Sequence, residues 1–418
     1  MSTYNKLQLE AINCKDSKVV VIAPPGSGKT FSLVGAISEY IKENPFDHVT
    51  AITFTKKAAS ELHFKLSDYP SVETATIHSW SLRELNRLGA KYKFKVSLLS
   101  DVQVQEILQY ICKQLGYYSI NYYLLTAFIM GNYNIDISDG VKARFQKILA
   151  TYIQYKRKNN LYDFTDLPLY LFDVLEEFGE RIENVDALFV DEFQDVDTIQ
   201  AEIFNRVDAK KYFYIGDPDQ SIYLFRGAVS EVLDNLEGFT RLRLEENYRS
   251  YQSIIDYSTL VGSGAYPNMA SISSLQPSWI KATRTDEQGE VYTVNEFGDG
   301  YDVVNQKMVD AGNLVDFFMR KNPYILCRSN KQVKSIQSLG YRNVSTIHQA
   351  KGLEYANVVV IDMDLSGDED NREEINIAYV ACTRAQNALM VIDFNVFISL
   401  INDILIDNDN YFSTQNLF

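Results

Sequence analysis

An α/β protein made of two parallel-sheet units, the first carrying a helical insertion, is predicted by three features of the sequence. Short apolar runs alternate with helix-patterned stretches from Lys18 to Ser67, the rhythm of parallel strands joined by crossover helices. That rhythm yields at about Leu82 to a tyrosine-rich helical stretch ending near Asp163, then returns at Ala187–Val190 and Tyr212–Ile215. A third bout begins near Arg241 and runs through apolar strands at Tyr324–Cys327, Val344–Ile347 and Val358–Ile361.

Each element has a local reason. Lys18–Ala23 is a buried-strand run, and Gly28–Glu43 is a helix closed by Asn44-Pro45. His48–Thr55 reads as the next strand and Lys56–Ser67 as a helix that stops near Pro70. Within the helical stretch, Lys91, Lys93, Lys95 and the run Lys156-Arg157-Lys158 read as solvated helix faces. The acidic run Asp362–Glu374 reads as a surface loop. The expected boundaries are 1–84 and 164–245 for the two parts of the first unit, 85–163 for the insertion and 246–418 for the second unit.

Composition excludes several classes. A formal net charge of −15 rules out coating of nucleic acid by bulk positive charge, so any phosphate-binding surface must be local. Cys14, Cys112, Cys327 and Cys382 are far apart and form no Cys/His ligand spacing, which argues against a zinc site or a disulfide scaffold. The polar start Met1–Leu9 is unlike a secretory signal, and the apolar stretch Ala388–Ile406 is broken by Asp393, Asn395, Asn402 and Asp403. A soluble protein of a reducing cytoplasm is expected.

The chemistry starts at Pro25-Gly26-Ser27-Gly28-Lys29-Thr30, between a strand and a helix. Small residues there let backbone N–H groups wrap a polyphosphate at a helix N-terminus. Lys29 can reach the β- and γ-phosphates, and the Thr30 hydroxyl can ligate Mg²⁺. The strict pattern opens with Gly where this chain has Ala23. The second half is Leu188-Phe189-Val190-Asp191-Glu192: an apolar strand ending in Asp191, placed to hold Mg²⁺, beside Glu192, placed to polarise water. Together these residues predict a site that hydrolyses a nucleoside triphosphate.

Further stretches resemble, in order, the motifs of UvrD/Rep/PcrA-type superfamily 1 DNA helicases. They are Gln8; Thr53-Phe54-Thr55-Lys56-Lys57-Ala58-Ala59; Thr76-Ile77-His78-Ser79; and Asp191-Glu192-Phe193-Gln194-Asp195. Gly216-Asp217-Pro218-Asp219-Gln220-Ser221-Ile222-Tyr223-Leu224-Phe225-Arg226-Gly227-Ala228 and Glu246-Asn247-Tyr248-Arg249-Ser250 follow. Thr346 to Glu354 and Ala378 to Ala385 complete the set. The resemblance implies two RecA-like P-loop domains, 1A and 2A, with a 1B-like insertion in the first and ATP bound between them. It implies that Tyr248 stacks on adenine while Gln8 reads its edge, and that Gln220, Arg249 and Arg384 contact the γ-phosphate. Glu354 would touch the ribose or the phosphate end. Phe54, Tyr223 and Phe225 would present rings to bases, with His78 and His348 hydrogen-bonding the strand. Phe225 stands where such helicases usually have tryptophan.

The activity so implied is ATP-dependent, Mg²⁺-requiring 3′→5′ movement on single-stranded DNA, coupled to strand separation at single-strand–duplex junctions. Replication, repair or recombination proteins are the expected protein partners, in a bacterial or phage-infected cytoplasm. A helicase–nuclease fusion is not expected, given the short stretch after Arg384. These helicases insert a large mobile subdomain, 2B, before the motif at Thr346, where this chain has only Gly340-Tyr341-Arg342-Asn343 after a helix at Lys331–Leu339. A compact form lacking 2B and working as a monomer is therefore expected.

Overall fold

The computed structural model describes residues 4–129, 137–222, 233, 236–263, 278, 280–286, 289–295, 297–362 and 372–415, with backbone alone at 139 and 405–415. Contacts divide the chain into two compact units. The first holds residues 1–22, 30–216 and 225–242; the second holds 23–29, 217–224 and 243–418.

The first unit is built on a six-stranded sheet in the order β3-β2-β4-β5-β1-β6. Its strands are β1 (Lys18–Ile22), β2 (Val49–Thr53), β3 (Val72–Thr76), β4 (Ala187–Val190), β5 (Lys211–Gly216) and β6 (Thr240–Arg243). The pairs β3–β2, β2–β4, β4–β5 and β5–β1 are all parallel. Every residue of β2 and of β4 is buried, as expected of strands covered on both faces by crossover helices. Trp80, Leu85 and Leu88 of the helix Ile77–Tyr92 and Leu171 and Leu175 of the helix Leu167–Phe178 pack against one face.

The helical stretch comprises the end of Ile77–Tyr92 followed by Asp101–Gln114, Tyr122–Ile129 and Asp139–Asn159. It has its own core, in which Leu108, Ile111, Phe128, Phe145, Ile148 and Tyr152 are buried. One expectation fails here. Lys156 is not on a solvated face but buried, 2.8 Å from Asp163 Oδ2 and 2.5 Å from Asp166 Oδ2, while Arg157 and Lys158 are exposed. The reason lies just beyond the helix, where a turn brings both carboxylates back under it. Tyr152 donates to Asp163 at 2.8 Å, and the Thr165 N–H and hydroxyl donate to its other oxygen. Burial alone would raise the Asp163 carboxyl, but the Lys156 charge and these donors hold it below the usual range. Asp166 is pushed up by burial and by the charge of Asp163.

The second unit has a seven-stranded sheet in the order β11-β10-β9-β15-β14-β12-β13 and a two-stranded pair β7-β8. The strands are β7 (Glu246–Asn247), β8 (Lys281–Ala282), β9 (Glu290–Val294), β10 (Gly300–Asp302), β11 (Lys307–Val309), β12 (Tyr324–Cys327), β13 (Val344–Thr346), β14 (Tyr355–Ile361) and β15 (Ala385–Ile392). From β9 to β13 neighbours run parallel; β10 and β11 add an antiparallel hairpin beyond β9. In β14, Val358 and Val360 pack into one core with Ile254 and Tyr257, whereas Val359 and Ile361 pack into another with Phe318 and Phe397. That alternation is why the run reads as continuously apolar. The acidic run read as a loop ends in a helix, since Arg372–Cys382 is helical from Arg372; residues 363–371 lie outside the described residues.

Candidate active site

In the first unit, β5 stands between β1, which leads into the glycine-rich turn, and β4, which ends at Asp191. Ligands of parallel sheets gather at such carboxyl ends of strands. The Asp191 N–H donates to the Ile52 carbonyl at 2.8 Å, which continues the ladder and fixes the carboxylate. Thr30 Oγ1 then donates to Asp191 Oδ2 at 3.3 Å. Glu192 has left-handed backbone geometry, φ 51°, rare for a residue with a Cβ. Its N–H donates to Asp191 Oδ1 at 3.0 Å, and Gln194 Nε2 donates to its carboxylate at 2.7 Å. Gly216 leaves room for that glutamine: a Cβ there would sit 2.5 Å from Gln194 Oε1.

The glycine-rich turn, in the second unit, is closed by Ser27, whose hydroxyl donates to the Pro24 carbonyl at 2.7 Å. Gly26 and Gly28 both have positive φ, 74° and 82°, which explains glycine at each. Lys29 Nζ lies 3.3 Å from the Ala23 carbonyl. The Tyr248 N–H donates to the Gly26 carbonyl at 2.8 Å, while its half-exposed ring carries a hydroxyl bonded to Glu246.

The same unit gathers the cationic residues. Arg384 is buried; Nε donates to the Val380 carbonyl at 2.9 Å, Nη1 to the Leu353 carbonyl at 3.1 Å, and Nη2 to Thr383 Oγ1 at 3.0 Å and Gln220 Oε1 at 3.3 Å. Gln220 Nε2 donates in turn to Asp217 Oδ2 at 2.8 Å, and Lys351 Nζ donates to the Gln220 carbonyl. Burial pushes the Asp217 carboxyl up to about 6, with the Lys29 charge pulling the other way. Arg249 Nε pairs with Glu354 Oε2 at 2.5 Å and its Nη1 donates to the Thr383 carbonyl at 3.3 Å. Glu354 also accepts from Gln386 at 3.1 Å.

Gln8 is buried in the first unit and closes a capping box with Asn5 at the start of the helix Lys6–Ile12. Phe54 and His78 follow the neighbouring strands β2 and β3. Phe164 was not singled out in the sequence, yet its ring stacks on His78 with centroids 5.6 Å apart and an interplanar angle of 13°. Lys56 Nζ lies 5.9 Å from the Phe164 centroid. In the second unit, His348 is half-buried in the short helix Ile347–Ala350, whose N-cap is Thr346. Tyr223 and Phe225 lie outside the described residues. Among the described residues no group of three or more His, Cys, Asp and Glu side chains could hold a metal ion, and no helix is long and apolar enough to cross a membrane.

A parallel sheet with a GSGKT turn after one strand, and a carboxylate at the end of another meeting the threonine of that turn, defines a P-loop protein. Comparison with known proteins narrows the class. Residues 4–240 match the model of the UvrD/REP helicase N-terminal domain and residues 343–392 that of the UvrD-like helicase C-terminal domain. The chain belongs to the UvrD/Rep family, whose members are ATP-hydrolysing DNA helicases. It is similar to a probable DNA helicase of Mycoplasma pneumoniae, 28% identical over 95% of this chain and 84% of that protein. Similarity to DNA helicase II of Escherichia coli is 28% over 61% of this chain and 39% of that protein. The PcrA helicase of Leuconostoc citreum is 29% identical over 62% of this chain and 38% of its own length. The chain thus spans well under half the length of the last two.

Proposed function

We propose that this chain is an ATP-dependent DNA helicase that moves 3′→5′ on single-stranded DNA and spends ATP hydrolysis on strand separation. The observation that carries this reading is the 3.3 Å approach of Thr30 Oγ1 to Asp191 Oδ2, made across 161 positions of sequence. A hydroxyl and a carboxylate oxygen so placed fit Mg²⁺, which takes one or two protein oxygens and leaves its other positions to water and phosphate. When bound, the ion neutralises charge on the β- and γ-phosphates.

The roles of Lys29 and Glu192 follow their chemistry, and the others follow the likeness to the family's motifs. Lys29 binds the β- and γ-phosphates beside the N–H groups of Gly26 to Thr30, and Glu192 orients the attacking water and accepts its proton. Gln220, Arg249 and Arg384 bind the γ-phosphate, Tyr248 and Gln8 the adenine, and Glu354 the ribose side. On the DNA side, Phe54, the His78–Phe164 pair and His348 contact the strand, with Tyr223 and Phe225 assigned by motif alone. Stacking suits a motor that ignores sequence, because every base has a π-face. The 3′→5′ sense rests on the likeness of Gln220-Ser221-Ile222-Tyr223 to the UvrD/Rep motif. The short connection between the helix Asn330–Ser338 and β13 supports action without a 2B subdomain, as a monomer.

ATPase measured with and without single-stranded DNA or RNA tests the reading. Stimulation by DNA, and clearance of a bulky protein from the 5′ end of a strand, are expected. Indifference to nucleic acid, or clearance only from the 3′ end, would reject the motor or its direction respectively.

A further inference from the structure

Asn247, in the motif Glu246-Asn247-Tyr248-Arg249-Ser250, is buried and has no role so far. Asn247 belongs to β7, opposite Ala282 of β8. Its carboxamide works in two directions. Nδ2 donates to the Pro25 carbonyl at 2.8 Å, within the glycine-rich turn. Oδ1 accepts the Arg249 N–H at 2.8 Å and the Ser250 N–H at 2.9 Å, closing the turn from which the Arg249 side chain projects. The next N–H, of Tyr248, donates to the Gly26 carbonyl at 2.8 Å, so two successive carbonyls of the phosphate loop are held by two successive residues.

The fit admits little slack. A Cβ on Gly26 would lie 2.7 Å from Arg249 Cβ and 2.8 Å from Asn247 Oδ1. The Ser250 hydroxyl donates to the Ala385 carbonyl at 2.6 Å, and Thr283 donates to the Asn247 carbonyl at 2.9 Å, so the turn itself is fastened on both sides. An amide is the side chain that can donate toward Pro25 and accept from Arg249 and Ser250 at once. Aspartate, of the same shape, keeps the acceptor but turns lone pairs toward the Pro25 carbonyl.

We infer that Asn247 is a positioning residue for ATP hydrolysis, setting the shape of the phosphate loop with one end of its amide and the placement of Arg249 with the other. This rests on the ATPase reading above. The two functions separate by substitution. Asn247→Asp removes only the loop contact, whereas Asn247→Ala removes both.

The test uses the full chain, binding of the fluorescent analogue mant-ATP with Mg²⁺, and single-turnover phosphate release, in wild-type and Arg249→Ala backgrounds. Asn247→Asp should weaken mant-ATP binding and raise KM about tenfold, the effect of one unmet buried acceptor, with kcat little changed. Asn247→Ala should show the same weakening and a lower kcat. That extra kcat loss should vanish once Arg249 is alanine, because no guanidinium is left to misplace. Wild-type KM in Asn247→Asp, or an Asn247→Ala defect in kcat that persists without Arg249, would overturn the inference. So would loss of cooperative thermal unfolding in Asn247→Asp, which would mark the residue as structural. A wild-type chain that binds DNA but hydrolyses no ATP would instead remove the ATPase reading, and the inference with it.

Discussion

Arg384 donates to Gln220 at 3.3 Å, and both side chains are buried. Further bonds of the arginine go to the Val380 and Leu353 carbonyls and the Thr383 hydroxyl, acceptors spread over all three guanidinium nitrogens. A planar fork can satisfy that set; an ammonium cannot. Arg384→Lys should therefore keep the charge and lose the placement. We expect kcat to fall on the order of 10³-fold, the lower range for an arginine finger, with mant-ATP still bound. A kcat near wild type would take Arg384 out of the hydrolytic machinery.

Glu192 combines a candidate catalytic carboxylate with backbone geometry that glycine tolerates better. Glu192→Gln should bind ATP and Mg²⁺ but turn over negligibly. Glu192→Gly should also be inactive, yet unfold at or above the wild-type temperature, because relief of the left-handed strain offsets the lost Gln194 contact. Clear destabilisation of the glycine variant would show that the conformation carries no strain.

Asp217 gives the stability a pH signature. Its carboxyl is pushed up to about 6 by burial, so the folded state holds the proton more tightly than the unfolded chain does. The contribution is fully present below about pH 4 and is lost as pH rises through about 6, a difference on the order of 2–3 kcal/mol. Asp217→Asn should flatten that part of the profile. Urea midpoints measured from pH 4 to pH 7 decide the matter; parallel slopes for the two proteins would disprove it.

Phe164 is 47% exposed and stacked on His78. Phe164→Ala should weaken single-strand binding by about 1–3 kcal/mol, the worth of one stacked base. Thermal stability and DNA-independent ATPase should change little. Fluorescence titration with labelled oligonucleotide is the measurement, and unchanged affinity would confine the ring to supporting His78.

What the sequence disclosed follows from how locally each feature is encoded. The phosphate turn is one contiguous stretch, and β4 with the carboxylates after it is another, so strand pattern and residue type made each legible. The hairpin of β10 and β11 went unread because Gly300–Asp302 and Lys307–Val309 are three-residue strands, too short for a period to emerge. Phe164 and Asn247 escaped for another reason. Each acquires its significance from a residue distant in sequence, His78 for one and Pro25 for the other. Lys156 misled because three adjacent basic residues look alike, although helical geometry turns the first inward and leaves the next two outside.

That inward lysine has a mechanical consequence. The helix Asp139–Asn159 has 21 residues, about 30 Å of rod at 1.5 Å per residue. Its last turns are bolted by Lys156 to Asp163 and Asp166, at the threshold of the helix Leu167–Phe178 that packs on the sheet. Charges sequestered from water resist being pulled apart, because parting them strands each in a poor solvent. The joint is therefore stiff, and the insertion behaves as a lever clamped at its root. A small rotation at the clamp becomes a displacement of ångströms at the far end, and load applied there returns as torque on the sheet that carries Asp191 and Glu192.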